Sequence, residues 1–413
     1  MTGGVLFVHN NFPAQFRDIA QALVARGTPC AAIGSGAAPG MEGVRIERFQ
    51  LAQGSTPNLF GLAIRAEADL LRGYAAYEAA TRLKAQGFEP DLIVGHPGWG
   101  EMVLLSEVFP GVRQIHFAEF FYHGRGADID FDTEFVTPGL AGILAGKTKN
   151  AVSALSLSDA EVIVAPTAFQ ASLLPPVFRR ETLIIHEGVD VERACPGPAL
   201  PLPLPDGRVL GPETPLITHV NRSLEPLRGL HILLRALPQV QAQAPDAHVL
   251  IVGDEWARGY SGAAPEGSTW KREAMKGLEG KLDMSRIHFV GRLPHEAMLA
   301  ALRRSRAHVY YTYPFVLSWS LAEAMACGCY VIASDTAPVR DAIIDGVNGK
   351  LLDFFDVDAL ATALVDACRA PPDAFAALRA AARETAVARF DRREGRRRWM
   401  ELIDGQRGRK PKA

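Results

Sequence analysis

A chain of 413 residues exceeds what one hydrophobic core ordinarily serves, so two domains are expected and a groove between them is the first place to seek a site. With 48% hydrophobic and 22% charged residues, the composition excludes a disordered or fibrous protein. A formal net charge of -2 excludes a global pull toward nucleic acid or anionic lipid, which rests on clustered Lys and Arg.

Val5 to His9 reads as a buried parallel strand, and Ala14 to Arg26 then carries Phe16, Ile19, Ala20, Leu23 and Val24 at helical spacing before Gly27. Short apolar runs follow at Cys30 to Ile33, Leu92 to Val94, Gln114 to Phe117, Val162 to Ala165 and Leu183 to Ile185. Helical stretches such as Leu59 to Gln86 separate most of them, which predicts a parallel, doubly wound sheet over residues 1–190. Pro196, Pro198, Pro201, Pro203, Pro205, Pro212 and Pro215 then interrupt the rhythm, and a linker is placed at 191–215.

After it the alternation restarts with strand Leu216 to Val220, helix Gly229 to Leu237, strand Val249 to Val252, helix Trp270 to Leu278 and strand Ile287 to Val290. Helix His295 to Arg304, strand His308 to Tyr311, helix Ser320 to Ala326 and strand Tyr330 to Ala333 continue it. The expected fold is α/β: two Rossmann-like doubly wound parallel-sheet domains, 1–190 and 216–387, facing across a cleft, with a C-terminal helix near 388–404 packing back on the first. Ligands of such sheets bind beyond the carboxyl ends of strands, so chemistry is sought in the loops that follow them.

The five cysteines are scattered without a CxxC pair, which points to neither a disulfide framework nor a zinc site and suits a reducing cytoplasm. No secretory leader is read at the start, and no apolar run approaches a membrane span. Arg392, Arg393, Arg396, Arg397 and Arg398, leading to Arg407, Arg409, Lys410 and Lys412, are either a local basic surface or a solvated helix end with its tail.

The loop after Leu216 to Val220 reads Asn221-Arg222-Ser223-Leu224-Glu225-Pro226-Leu227-Arg228-Gly229 and opens into a helix. Two guanidiniums near a helix N-terminus suit a diphosphate, because the planar fork donates paired hydrogen bonds and the helix end favours an anion. The alternative is a pair of surface arginines bridged to Glu225. Further on, Tyr313-Pro314-Phe315-Val316-Leu317-Ser318-Trp319-Ser320-Leu321-Ala322-Glu323 joins a strand to a helix in which Glu323 is an isolated carboxylate. Such a group can accept both hydroxyls of a ribose, with the amides around Ser318 and Trp319 aimed at a phosphate.

Both stretches resemble the C-terminal signature of family 4 retaining glycosyltransferases of the GT-B fold, as do Ile251-Val252-Gly253-Asp254, Phe289-Val290-Gly291-Arg292 and Gly346-Val347-Asn348-Gly349. The resemblance implies that Arg222 and Arg228 grip the donor diphosphate, Glu323 binds the ribose, and Gly253, Asp254, Arg292 and Phe315 lie near base or sugar. It departs from the family pattern in three places. Arg stands for Lys at 228 with one residue more between the two cations. Phe315 replaces the first carboxylate of the Glu-x7-Glu motif. In the first domain, Glu119 falls where the family sets a His, with His116 three residues before it.

A carboxylate at 119 suits stabilisation of an oxocarbenium ion or transient nucleophilic attack, against the alternative of a capping or ion-paired loop residue. His96, in Gly95-His96-Pro97-Gly98-Trp99-Gly100, is either an acceptor-side base or a turn histidine held by backbone. Asn10 and Asn11, after His9, are expected in an acceptor-side loop, where Asn11-Phe12-Pro13 replaces the glycines of the family's Gly-rich loop.

The implied activity is transfer of a sugar from a nucleoside diphosphate sugar, UDP- or GDP-linked, to a hydroxyl acceptor: a glycan, a lipid-linked sugar or a small molecule. Retention of configuration, no metal, no nucleic-acid partner and a cytoplasmic place with peripheral contact at the inner membrane face are expected with it. Asp128-Ile129-Asp130 has the Asp-x-Asp spacing but lies in a Gly-rich loop away from the phosphate elements. Two other classes use the same grip: a nucleotide-sugar epimerase or hydrolase, and a sugar-nucleotide-binding protein without turnover. No GxGxxG follows the first strand of either half, which argues against a dinucleotide-dependent dehydrogenase.

Overall fold

The computed structural model describes residues 3–135, 139–180, 182–256 and 259–407, so Arg409, Lys410 and Lys412 of the basic tail lie outside the described residues. The chain forms two compact units, Met1–Glu187 with Arg392–Ala413, and Gly188–Asp391.

The first unit is built on seven parallel strands: β1 (Gly4–Val8), β2 (Cys30–Ser35), β3 (Arg45–Phe49), β4 (Pro90–Gly95), β5 (Arg113–Phe117), β6 (Val162–Ala165) and β7 (Thr182–Ile184). Their order is β3-β2-β1-β4-β5-β6-β7, so the winding reverses between β1 and β4. Strands β1 and β2 are apolar on both faces because helices cover both faces of a parallel sheet. Leu6, Val8 and Ile93 pack toward Ala76, Ala79, Ala80 and Leu83 of helix Ile64–Ala85, while Val5, Phe7 and Val94 pack toward Ile19 and Leu23 of helix Arg17–Ala25. Trp399, Met400 and Ile403 of helix Arg392–Arg407 complete that second layer. The opposite face of this helix holds the arginines in solvent, where Arg397 pairs with Glu394 and Glu401.

The second unit has six parallel strands, β10 (Leu216–Ser223), β11 (His248–Asp254), β12 (Ile287–Phe289), β13 (Ala307–Tyr310), β14 (Val331–Ser334) and β15 (Lys350–Leu352), preceded by the antiparallel pair β8 (Leu202–Pro203) and β9 (Val209–Leu210). The order β12-β11-β10-β13-β14-β15 again reverses beside the first strand of the sheet, between β10 and β13.

Two local expectations are corrected, and one strand escaped the sequence reading. The Pro-rich stretch read as a linker is packed against the second unit, with Leu202, Leu204 and Leu210 buried in its core. Its prolines stop long strands, but its leucines still find an apolar surface to cover. Strand β10 continues through Asn221 and Arg222 to Ser223, so the loop that follows begins three residues later than the apolar run suggests. Strand β3 has no apolar run: its residues Arg-Ile-Glu-Arg-Phe sit at a sheet edge, where charged side chains remain in water.

Candidate functional site

In the second unit the loops after β10, β11 and β13 meet at the carboxyl edge of the sheet. Pro226–Arg228 form one short turn, and Gly229 then takes φ 69° to start helix Leu230–Gln243. A Cβ at this glycine would lie 2.4 Å from Tyr311 Cβ, so position 229 is closed to side chains by both backbone and space. Arg228 is consequently buried, its Nη1 donating to Thr312 Oγ1 at 3.2 Å and to the Val316 carbonyl at 3.3 Å. Arg222 is exposed, its guanidinium 5.1 Å from the Tyr260 ring centre, and that ring packs on Phe315 at 4.7 Å. Both cations therefore border the 312–316 loop, one through Tyr260 and Phe315, the other directly.

Glu225 pairs with neither. It is buried and accepts from Ser223 Oγ at 2.9 Å and from the Ser261 amide at 2.7 Å, tying the loop after β10 to the loop after β11. The bridged-arginine alternative is thereby corrected, because the carboxylate points inward to unpaired donors of its own neighbourhood.

Helix Trp319–Ala326 starts with Ser318 as its cap, Oγ accepting from the Ser320 amide at 3.2 Å. The Ser318 amide donates to Tyr310 Oη at 2.8 Å. Two of the amides near this helix end are thus already engaged inside the protein, which narrows its capacity for a phosphate. Glu323, one turn on, accepts from His295 Nε2 at 2.6 Å; burial pushes its carboxyl above the usual range, and the bond to His295 opposes that shift. Asp254 pairs with Arg292 at 3.1 Å, and the Gly253 amide donates to the Gly291 carbonyl, so the ends of β11 and β12 are joined. Below them His219, wholly buried and pushed down to about 4 by burial, donates Nδ1–H to Val309 and accepts from Asn221 Nδ2 at 2.8 Å.

In the first unit the register pairs Val8 with Gly95, so His9 and His96 follow neighbouring strands at the point where the winding reverses. Each ring accepts a backbone amide on Nδ1, from Asn11 at 2.9 Å and Gly98 at 3.0 Å, which leaves the proton on Nε2. Gly98 is required here, since a Cβ would stand 2.5 Å from His96 Cε1. Trp99 stacks on His96 at 4.2 Å, and Glu119 Oε2 lies 3.6 Å from His96 Nε2. Gln15 Nε2 holds Glu119 Oε1 at 3.2 Å. Asn10 is half-buried and Asn11 exposed beside this group.

His116 is not part of the group. It lies inside β5, fully buried, its ring on Gln114 Oε1 at 2.9 Å, and burial pushes it down to about 3. Asp130 serves a turn, accepting from the Gly126 amide at 2.8 Å.

Sequence reasoning missed His295, Tyr260 and Gln15, and it missed the support behind His96. Arg65 Nε binds buried Asp69 at 2.8 Å, Arg72 binds the same carboxylate, and the two guanidiniums also hold the carbonyls of Gly98 and Trp99 at 2.7 and 2.8 Å. The spacing Arg65, Asp69, Arg72 on one helix face was the available signal. Beside them Glu101 is completely buried, which pushes its carboxyl up to about 7 against the pull of Arg72.

Among the described residues no helix is long and apolar enough to cross a membrane.

A family model described as Glycosyl transferase family 4 group matches residues 26–194, and one described as Glycosyl transferases group 1 matches residues 214–369. The GDP-mannose-dependent alpha-(1-6)-phosphatidylinositol monomannoside mannosyltransferase of Mycolicibacterium smegmatis is 29% identical over 257 residues, 60% of this chain and 64% of that protein. The phosphatidyl-myo-inositol mannosyltransferase of the same organism is 32% identical over 185 residues, 44% of this chain and 41% of that protein. In these matches the chain spans less than two-thirds of the relative's length.

Among solved structures, Anabaena Alr3699/HepE in complex with UDP and glucose superposes with a TM-score of 0.66 at 17% identity, over 98% of this chain and 100% of that one. Sucrose-phosphate synthase from Thermosynechococcus elongatus gives 0.70 at 19% identity, over 98% of each chain. These two likenesses speak for the fold. With a glycosyltransferase model on each half and two Rossmann-like units of the GT-B type, the chain belongs to the family 4 glycosyltransferases.

Proposed function

We propose that the protein transfers a glycosyl group from a nucleoside diphosphate sugar to a hydroxyl acceptor, with retention of anomeric configuration and without a divalent metal. The observation that supports this best is the carboxyl edge of the second sheet, where Arg222 and Arg228 border one loop and Glu323 stands one helical turn beyond it. The cations offset the charge that grows on the departing diphosphate, so a metal is not required for that step. Glu323 accepts ribose hydroxyls, while Asp254 and Arg292 edge the base. Glu119 and His96 are assigned the acceptor side, where a carboxylate beside an imidazole can take and return a hydroxyl proton.

The relatives' names favour a mannosyl donor carried on GDP and an inositol-containing lipid acceptor as the first pair to try. The solved fold neighbours hold UDP or UDP-glucose, which makes UDP-sugars the second choice. The test incubates the protein with GDP- and UDP-sugars and glycan, lipid-linked and small polyol acceptors, following nucleoside diphosphate release and the anomeric configuration of the product. Free sugar or an epimer formed without acceptor would move the assignment to a hydrolase or epimerase. Donor binding with no consumption across the panel would support a binding protein, a reading to which the buried Phe315 at the position of the missing carboxylate gives its specific support.

A further inference from the structure

Glu323 sits on a helix whose neighbouring residues Ala322, Ala324 and Met325 are buried apolar groups, and its own side chain is only 15% exposed. A carboxylate in such a place is poorly hydrated and tends to keep its proton. A protonated carboxyl is a weak acceptor for a ribose hydroxyl, whereas an ionised one forms a charge-assisted bond. Two charged or polar groups act on it across space, His295 and Arg193. Arg193 is committed elsewhere, to the carboxylate of Glu296. That leaves His295, whose Nε2–H reaches Oε1 at 2.6 Å.

The placement of His295 follows from its chain. Strand β12 ends at Phe289, Gly291 turns with φ 64°, and Pro294 brings the backbone into helix His295–Arg303 with the imidazole at its first residue. The ring is tethered at a helix start and fixed on one oxygen, so the carboxylate plane cannot rotate freely. Its second oxygen, Oε2, has no hydrogen-bond partner among the described residues.

We propose that His295 is the positioning residue for ribose recognition, holding Glu323 ionised and oriented so that the second unit prefers ribonucleoside over 2′-deoxyribonucleoside diphosphates. This inference rests on the donor-binding reading above. It adds to that reading a residue which touches no substrate atom and acts through another.

The experiment is calorimetric titration of the full chain with GDP, 2′-deoxy-GDP, UDP and 2′-deoxy-UDP, for the unaltered protein and for His295→Ala, His295→Gln and Glu323→Gln. The unaltered protein is expected to favour the ribose form by roughly 10-fold, the factor typical of a hydrogen bond to a charged acceptor. His295→Ala should reduce the preference to about 2-fold by weakening the ribose form most, since the 2′-deoxy ligands keep only the 3′-hydroxyl to bond to Glu323. His295→Gln, which can return an amide N–H near the position of Nε2, should restore most of it, and Glu323→Gln should remove it.

Full preference retained in His295→Ala but lost in Glu323→Gln would overturn the positioning role and leave donor binding intact. Equal weakening of ribose and deoxyribose ligands in both His295 variants would reduce His295 to a structural role and overturn it as well. No binding of any of the four ligands by the unaltered protein is a separate outcome, and it removes the donor reading itself. The His295 side chain is 39% exposed, so its replacement is compatible with a folded protein, which thermal melting checks in each variant.

Discussion

Arg228 Nη1 lies 3.2 Å from Thr312 Oγ1, so a cation at the start of one helix is locked to the loop that leads into another. Removing it should act on two quantities at once. Arg228→Ala is expected to weaken nucleoside diphosphate binding by about 2 kcal/mol, the scale of a charge-assisted contact, while nucleoside affinity stays unchanged. Arg228→Lys should recover part of the loss, because the charge remains and the fork is gone. Calorimetry with the nucleoside, monophosphate and diphosphate separates these cases, and an unaltered diphosphate affinity would take Arg228 out of the site.

Glu119 is held by Gln15 on one oxygen and stands 3.6 Å from His96 with the other. Glu119→Gln keeps the shape and the contact with Gln15 but loses the charge. Turnover should fall by on the order of 100-fold, with donor affinity nearly unchanged, since general acid–base groups contribute on that scale. Steady-state kinetics with donor and acceptor varied separately provides the measurement. Equal losses in donor affinity and turnover would return Glu119 to a structural role.

Asp69 is almost fully buried between Arg65 and Arg72, and those two arginines also grip the loop under Trp99. Asp69→Ala leaves both guanidiniums without their shared counter-charge and should lower stability by about 3 kcal/mol. Urea unfolding monitored by far-UV circular dichroism would report this. A cost under about 1 kcal/mol would mean that the cluster behaves as exposed ion pairs do.

Five buried histidines shape the response to acid. Burial pushes His9, His116 and His308 down to about 3 and His219 and His288 to about 4, while the unfolded chain protonates them near 6.5. The unfolded state therefore binds more protons below pH 6.5, and the contribution of these groups is complete above that pH and lost as pH falls toward 4. Glu101, pushed up to about 7, and Asp128, to about 6, act in the opposite direction, because their folded forms keep the proton longer. More of these groups are lowered than raised, which leaves a net loss of stability between pH 6.5 and 4.5. His308→Gln, placed where His308 meets Thr218, should flatten the slope by on the order of 1 kcal/mol per pH unit. Urea midpoints across that range test it, and an unchanged slope would locate the titration elsewhere.

The inner strands of both sheets could be read in the sequence because a parallel strand covered on both faces must be apolar along its length. Val5 to Val8 and Leu92 to Val94 show this with no exposed member. Edge strand β3 escaped for the same reason: half of its surroundings are water, and Arg45, Glu47 and Arg48 are compatible with that. The proline-rich stretch misled in the other direction, since proline density reports where strands and helices stop and says little about whether the intervening leucines are buried.

The residue types of the candidate site were visible as motifs after strands, so Arg222, Arg228, Glu323 and His96 could be named from their loops, and Glu119 from the family resemblance. Their partners could not. His295 and Glu323 belong to different helices, Arg222 meets Tyr260 from another loop, and His9 stands beside His96 only because β1 pairs with β4 across a long helical crossover. The sequence by itself determined which chemistry each strand-end loop carries, because backbone direction and residue type are local properties. Tertiary structure alone decided which groups are buried, which amides and carboxylates are already engaged, and which histidine meets a carboxylate, because burial and hydrogen bonding depend on neighbours that chain distance does not reveal.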